Sequence, residues 1–292
     1  MPIWTNHENL PQPLASAIMK DTYDRVGDIS ATGMIGAPRQ KQLWARYGHL
    51  VVIDVAEEAY VLLGKGVHAA LEWGDNDNHL AEERLIVPFE GTQISVKPDL
   101  LDPNGVVTDW KVTGVMAYLL GEKLDWTRQV NIQAWAYRKK GFKITGAQIT
   151  AIFRDWKKME AKRRADYPNR PMKNIPIELW PDEEVESYMR SRILLHKAHE
   201  AVPDRKLPLC TPEERWARPD TWAVKKKEAK RATRVYEDKE TAELHLRSIV
   251  KEKRKEYKTE FRPGINVKCV DYCRVAEFCD FGKQLKQREQ EA

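Results

Sequence analysis

The stretch TQISVKPDLLDPNGVVTDWKVT, residues 92–113, decides how the fold is read. Its first half alternates apolar and polar residues through Ile94, Val96 and Leu100, the period of a half-buried strand. Its second half, VVTDWKV, is β-branched and aromatic, as strands favour. Between them Asp102-Pro103-Asn104-Gly105 is a strong turn signal. An antiparallel hairpin is predicted, and it returns Asp99 to the side of Asp109. On the second strand Asp109 and Lys111 lie two residues apart and share a face. Two carboxylates brought together repel unless a cation sits between them, and hard oxygen ligands suit Mg2+ or Mn2+. A lysine beside such an ion can orient a water and stabilise charge developing on a phosphate. Metal-assisted phosphodiester hydrolysis needs such a group.

Working outward, the apolar spacing predicts a helix over about 55–73, with Ala59, Leu62, Leu63, Val67 and Leu71 on one face. It sets His68 and Glu72 one turn apart, with Gly64 one turn earlier permitting a close approach. The strand ERLIVPF precedes the hairpin. After it comes a helix over about 124–140, with Asp125 as N-cap and Gly141 just past its end. Gln129, Gln133 and Tyr137 form a row along that helix at i, i+4 and i+8. A fourth strand lies in ITGAQITAIF, and the Pro-rich YPNRPMKNIP reads as irregular chain. A helix then runs from Pro181 to about Glu200, with His196 and His199 expected on its exposed side. Shorter helices are predicted over 11–26 and in PRQKQLWARY, residues 38–47. The order helix, three strands, helix, strand describes an α/β fold with a mixed sheet flanked by helices. Residues 1–200 are expected to form this core, and 201–292 a second segment.

With 42% hydrophobic and 32% charged residues among 292, the chain has material for a sizeable core, which excludes disorder as a description of the whole. No apolar run approaches the ~20 residues of a membrane helix, and the N-terminal stretch lacks the pattern of a secretory signal. A soluble, cytoplasmic protein is expected. Charge is uneven: residues 1–200 carry 26 Lys and Arg against 27 Asp and Glu, whereas residues 201–292 carry 23 against 17. All four cysteines also fall in the last third, spaced C-x58-C-x3-C-x5-C as Cys210, Cys269, Cys273 and Cys279. Four thiolates are the number that a tetrahedral zinc or an iron–sulfur cluster needs. Between them a hairpin is predicted in WAVKKK…RATRVYE, carrying Lys225, Lys226, Lys227, Lys230 and Arg231, with Arg234 beyond. With Trp216, Trp222 and Tyr236 interleaved, it offers charge and stacking to a DNA strand. A charged helix is predicted over 240–256. No GxxxxGK[ST], HExxH or GxSxG pattern occurs.

The series GxxxH on a helix, Asp on a strand, DxK on the next strand and QxxxY on a helix resembles the PD-(D/E)XK nuclease superfamily. More closely it resembles the RecB-like branch, which includes phage exonucleases and CRISPR-adaptation nucleases. The resemblance covers roughly residues 28–155. It implies that His68, Asp99 and Asp109 hold Mg2+ or Mn2+, that Lys111 positions the attacking water, and that Gln133 and Tyr137 orient the DNA backbone. The activity it implies is that of a metal-dependent DNA nuclease, foremost an exonuclease of phage or prophage recombination or DNA processing. DNA is the implied partner, with a recombinase or a single-strand-binding protein beside it. Two alternatives stay open: a non-catalytic nucleic-acid-binding protein on the same scaffold, and a structure-specific endonuclease. Several relatives end in three clustered cysteines that, with one distant cysteine, hold a [4Fe–4S] cluster. By that precedent Cys210, Cys269, Cys273 and Cys279 form a cysteine-ligated module, with structural Zn2+ as the alternative. In the CRISPR-adaptation type the lone cysteine precedes the motif histidine, where this chain has GAPRQKQ, residues 36–42.

Overall fold

The strand expected to run unbroken through residues 92–101 is interrupted at Lys97-Pro98-Asp99 in the computed structural model, which describes residues 1–20, 26–74, 79–121 and 123–290, excepting the side chains of Glu72, Glu289 and Gln290. Pro98 has no N–H to give a ladder. The two halves therefore pair with different strands, and Asp99 falls at the break. The chain forms two compact units, Met1–Gly36 with His49–Ala201, and Ala37–Gly48 with Val202–Ala292. The sequence expectation sets a division after residue 200, and one boundary between the units lies between Ala201 and Val202. Residues 37–48 depart from it and belong to the second unit.

In chain order the elements that build the first unit are β1 (Ile29–Ser30) and α1 (Ala31–Ile35), then, after α2 (Pro38–Tyr47) of the second unit, α3 (Ala59–Glu72), β2 (Leu80–Ala81), β3 (Leu85–Phe89), β4 (Thr92–Val96), β5 (Leu100–Leu101), β6 (Val106–Thr113), α4 (Leu124–Lys139), β7 (Gly146–Phe153), β8 (Met172–Ile177) and α5 (Asp182–Glu200). One mixed sheet has the order β8-β7-β6-β5-β2, and a smaller one the order β1-β4-β3. β6 and β7 run parallel, whereas β5 and β6 form the predicted hairpin, with Leu100 opposite Thr108 and Leu101 opposite Val107. The unit is thus a mixed α/β fold with sheets flanked by helices.

Burial along β7 alternates without a break, with Ala147, Ile149, Ala151 and Phe153 inward. Its parallel partner holds Asp109 beside Ile149 and Lys111 beside Ala151, so the Asp-Lys pair shares the face that meets α4. α4 is buried almost all round from Val130 to Tyr137, as a helix at the centre of a domain must be. α5 covers it with Val185, Met189 and Ile193 at helical spacing. Each such fully buried aliphatic contributes about 1.5–3 kcal/mol.

Several expectations are corrected. Met172–Ile177 is an edge strand on β7 rather than irregular chain, because an edge tolerates Pro176 where a central strand would not. Asp125 lies in the first turn of α4, and Lys123 is the N-cap. His196 and His199 are buried, at 2% and 6% exposure, since α5 turns that side inward. His196 Nε2 lies 2.9 Å from the Met34 carbonyl oxygen. A Cβ on Gly64 would meet open space, so no close approach explains that glycine. The helix predicted over 11–26 is Gln12–Met19, and residues 21–25 lie outside the described residues.

The second unit adds β9 (Thr221–Lys226), β10 (Arg234–Tyr236), α6 (Lys239–Ser248), β11 (Tyr257–Arg262) and α7 (Asp280–Gln290). β9 lies between β10 and β11 in an antiparallel sheet. The predicted hairpin is therefore present, with Trp222 opposite Tyr236. The helix predicted over 240–256 ends at Ser248, and the strand Tyr257–Arg262 was not anticipated. α2 belongs here because Tyr47 stacks on Phe278 at 4.9 Å and Arg46 and Tyr47 both engage the Asp204 carboxylate.

Gly105 makes the β5–β6 turn possible. It sits at φ +83°, where a Cβ would run into the Lys143 carbonyl oxygen, and its own carbonyl accepts from Thr145 N at 2.9 Å. Gly105→Ala is expected to lower unfolding free energy by about 2 kcal/mol. Denaturant titration checks this, and an unchanged midpoint would contradict the account of the turn.

Candidate active site

Asp109 has no exposed surface, and everything around its carboxylate serves that burial. Gln129 and Gln133, one turn apart on α4, both donate from Nε2 to Asp109 Oδ1, at 2.7 and 3.0 Å. Lys111 Nζ lies 2.6 Å from Asp109 Oδ2 as an ion pair without hydrogen-bond geometry, and donates to Gln129 Oε1 at 3.1 Å. Gln129 thereby ties the lysine and the aspartate together. It stood in the predicted helix row, but nothing in the sequence gave it this role.

Beside this group lies another. Asp99 Oδ2 accepts from Trp110 N at 2.7 Å, which locks the carboxylate against β6 next to Asp109. His68 Nδ1 on α3 stands 3.8 Å from Asp99 Oδ1 and 2.9 Å from Glu82 Oε1. One ligand atom each from His68, Glu82 and Asp99 falls within 4.8 Å of the others, the one such group of three among the described residues. Of the three expected metal ligands the structure thus gathers His68 and Asp99, and it adds Glu82, while Asp109 is held by Lys111 and the two glutamines. Glu82 was not legible in the sequence. It arrives through the two-residue pairing of β2 with β5 and the bond from Glu82 N to the Asp99 carbonyl oxygen. Its backbone sits at φ +53°, a conformation a glutamate adopts only under constraint. The side chain of Glu72 lies outside the described residues.

The electrostatics are those of carboxylates short of positive charge. Burial, and then the Asp109 charge, push Asp99 up to about 7, against the pull of Trp110 N–H, His68 and Lys111. The hydrogen bond to Glu82 holds His68 above its ordinary value, with Asp99 and Asp109 adding to it. Burial pushes Glu82 up, but bonds from His68 and Lys97 outweigh it and leave the carboxyl below its ordinary value. Asp109 Oδ2, Gln133 Oε1 and Tyr137 Oη are all buried without a hydrogen-bond partner in the protein. Buried polar atoms without such a partner are few in native folds. An imidazole nitrogen and clustered carboxylate oxygens are a donor set that fits a hard divalent cation.

Gln133 and Tyr137 are 1% and 0% exposed, and Gln133 lines a cavity beside Glu82 and Asp99. Gln133 orients Asp109, and Tyr137 packs edge-on against Phe142 at 5.5 Å. A cavity of about 220 Å³ opens on the His68 side, past His79 and Trp110. Another of about 240 Å³ opens on the other side, past Ser30, Thr32, Arg84 and Lys97, and both reach Glu82 and Asp99.

In the second unit the four cysteines line one pocket with Arg39, Gln40 and Arg215. All are free thiols. Burial pushes Cys210 up to about 12, with the Glu214 charge and the other three sulfurs adding to it. Of the predicted DNA-binding residues, Lys225 pairs with Glu260 at 3.3 Å and Lys226 with Glu256 at 3.4 Å. Lys227, Lys230 and Arg231 stand exposed on the turn. Trp222 and Tyr236 are engaged, Trp222 with Phe261 and Lys239, and Tyr236 with His245.

No family model and no curated protein matches this sequence. A solved structure described as the crystal structure of SSO0001 is similar, with 16% identity over 61% of this chain and 80% of that one and a TM-score of 0.43. No helix among the described residues is long and apolar enough to cross a membrane.

The Asp99 environment predicts a stability signature. Its carboxyl is raised in the folded protein, so below pH 4 folded and unfolded chains both carry it protonated and no penalty exists. As pH rises through 7 the folded chain must ionise it at a cost. In EDTA at pH 8, Asp99→Asn should therefore be more stable than the wild-type protein, on the order of 2 kcal/mol. Mn2+ should stabilise the wild-type protein and leave the variant unmoved. Thermal unfolding with and without Mn2+ checks both; a variant less stable in EDTA would contradict the reading.

Proposed function

We propose that this protein is a metal-dependent DNA nuclease with a PD-(D/E)XK core, foremost an exonuclease acting in phage-type recombination or DNA processing. The observation that carries the reading is the gathering of His68, Glu82 and Asp99 within 4.8 Å beside the buried Asp109–Lys111 pair. His68, Asp99 and Glu82 would hold Mg2+ or Mn2+, with Asp109 beside them as a further carboxylate. When bound, the ion supplies charge stabilisation to the phosphate and acidifies its water. Lys111 holds its ammonium at Asp109, where it can orient a water toward the phosphorus and oppose charge on the phosphoryl oxygens. Gln129 keeps that ammonium in place, and Gln133 fixes the Asp109 carboxylate. The cavities on either side of Glu82 and Asp99 give an extended strand room to pass. The exposed Lys227, Lys230 and Arg231 offer phosphate contacts without base reading.

For the cysteines we favour a [4Fe–4S] cluster over zinc. The three clustered cysteines with one distant partner are the pattern the resemblance pairs with such a cluster, and Cys210, Cys269, Cys273 and Cys279 line one pocket. The four thiols share one pocket, where burial and then neighbouring negative groups hold Cys210 and Cys269 above the ordinary thiol value, a donor set awaiting positive charge.

Two outcomes test this. Asp109→Ala or Lys111→Ala should lower Mg2+-dependent hydrolysis by ~10²-fold or more, as losing a preorganised charge does elsewhere. A time course on end-labelled linear and closed circular DNA reads this and separates exonuclease from endonuclease. Full activity in both variants would remove the nuclease assignment. Protein purified without oxygen should be brown with about four irons per chain, and Cys273→Ser should be colourless and poorly soluble. A colourless wild-type protein with one zinc would overturn the iron–sulfur reading.

A further inference from the structure

The second unit buries a cation against sulfur. Arg39 on α2 is only 6% exposed. Its Nε donates to Cys279 Sγ at 3.3 Å, and its Nη1 donates to the Leu207 carbonyl oxygen. The next residue, Gln40, donates from Nε2 to Cys273 Sγ at 3.2 Å. Asp204, whose carboxylate feels the Arg39 charge, is already engaged by Arg46 and Tyr47. A guanidinium taken out of water needs an anion, and a neutral thiol is a weak acceptor. A metal-bound thiolate is an anion and receives such donors as charge-assisted bonds. α2 carries no cysteine, yet two consecutive side chains of it reach two different sulfurs, and they do so from the GAPRQKQ stretch.

We infer that Arg39 and Gln40 are donors to the metal-bound sulfurs of Cys279 and Cys273 and that they set the redox poise of the group held there. This rests on the iron–sulfur reading above. Donors to a ligand sulfur, and a positive charge beside it, stabilise the more negative reduced cluster more than the oxidised one, and so raise its potential. Arg39 supplies both the donor and the charge, Gln40 the donor alone. Both act on the ligands, not on any substrate, so both are positioning residues.

The test uses the full chain purified without oxygen, its iron content, and a redox titration followed by visible absorption and by the paramagnetic signal of the reduced cluster. Gln40→Leu and Arg39→Met should keep a measurable cluster, shift its midpoint to a more negative potential, and bleach several-fold faster in air. Arg39→Lys should fall between Arg39→Met and wild type, since it keeps the charge and loses the Nε donor. If burial of Arg39 makes its variants insoluble, Gln40→Leu decides, because it leaves the Arg39 contacts with Cys279 and Leu207 intact. Iron-loaded variants with the wild-type midpoint and bleaching rate would overturn this inference and leave the cluster reading standing. A wild-type protein that binds no iron would overturn the cluster reading, and this inference with it.

Discussion

Asp109 is a carboxylate with no surface, and the arrangement of the first unit follows from what that costs. An unpaired charge in a protein interior is unfavourable by several kcal/mol, and breaking a buried pair leaves that cost exposed. Here two amide groups and an ammonium surround the carboxylate. The amides come from α4 and the ammonium from the same strand, so α4 must cross the sheet at one rotation and depth. The apolar face of β7 and the covering residues of α5 fix that position. A polar site and an aliphatic core thus hold each other in register.

The compensation is incomplete, and its gaps lie where the proposed chemistry would occur. Asp99 is raised to about 7 by burial and by Asp109, Glu82 sits in a left-handed backbone conformation, and the buried Gln133 Oε1 and Tyr137 Oη lack hydrogen-bond partners. Other polar groups of the unit form ordinary pairs, such as Arg138 with Asp182 and Trp135 with Glu186. Local strain and unmet polar groups gathered at one spot are what a fold tolerates where something binds, at the expense of stability.

The second unit solves a different problem. Its small sheet is covered by α6, and among the described residues of the sheet only Ala223 and Val224 are fully buried aliphatics. A segment with so little apolar burial depends on other ties. The cysteines gather Cys210 and the C-terminal region into one pocket, α2 adds Tyr47 stacked on Phe278, and Gly282 lets α7 approach the Ala276 backbone where a Cβ would clash. Arg39 and Gln40 tie the same helix to the sulfurs themselves.

The elements that carry Asp109, Lys111, His68, Gln133 and Tyr137 were legible in the sequence, because strand alternation, the Asp-Pro-Asn-Gly turn and helical spacing are local properties of a few residues. The mixed α/β class and the basic hairpin were legible for the same reason. What only the tertiary structure decided lies between elements distant in sequence. Pro98 splits a strand whose alternation reads as continuous, and Glu82 reaches Asp99 through a pairing of two residues, too short to leave a periodic signal. His196 and His199 turn inward because of what packs on α5, and Met172–Ile177 becomes a strand because β7 has a free edge for it. Residues 37–48 join the far end of the chain through side chains 150 or more positions away, as Arg46 does with Asp204 across 158. Local pattern specifies which elements form and which residues they carry; which of those residues meet is set by packing and charge compensation, which sequence spacing does not encode.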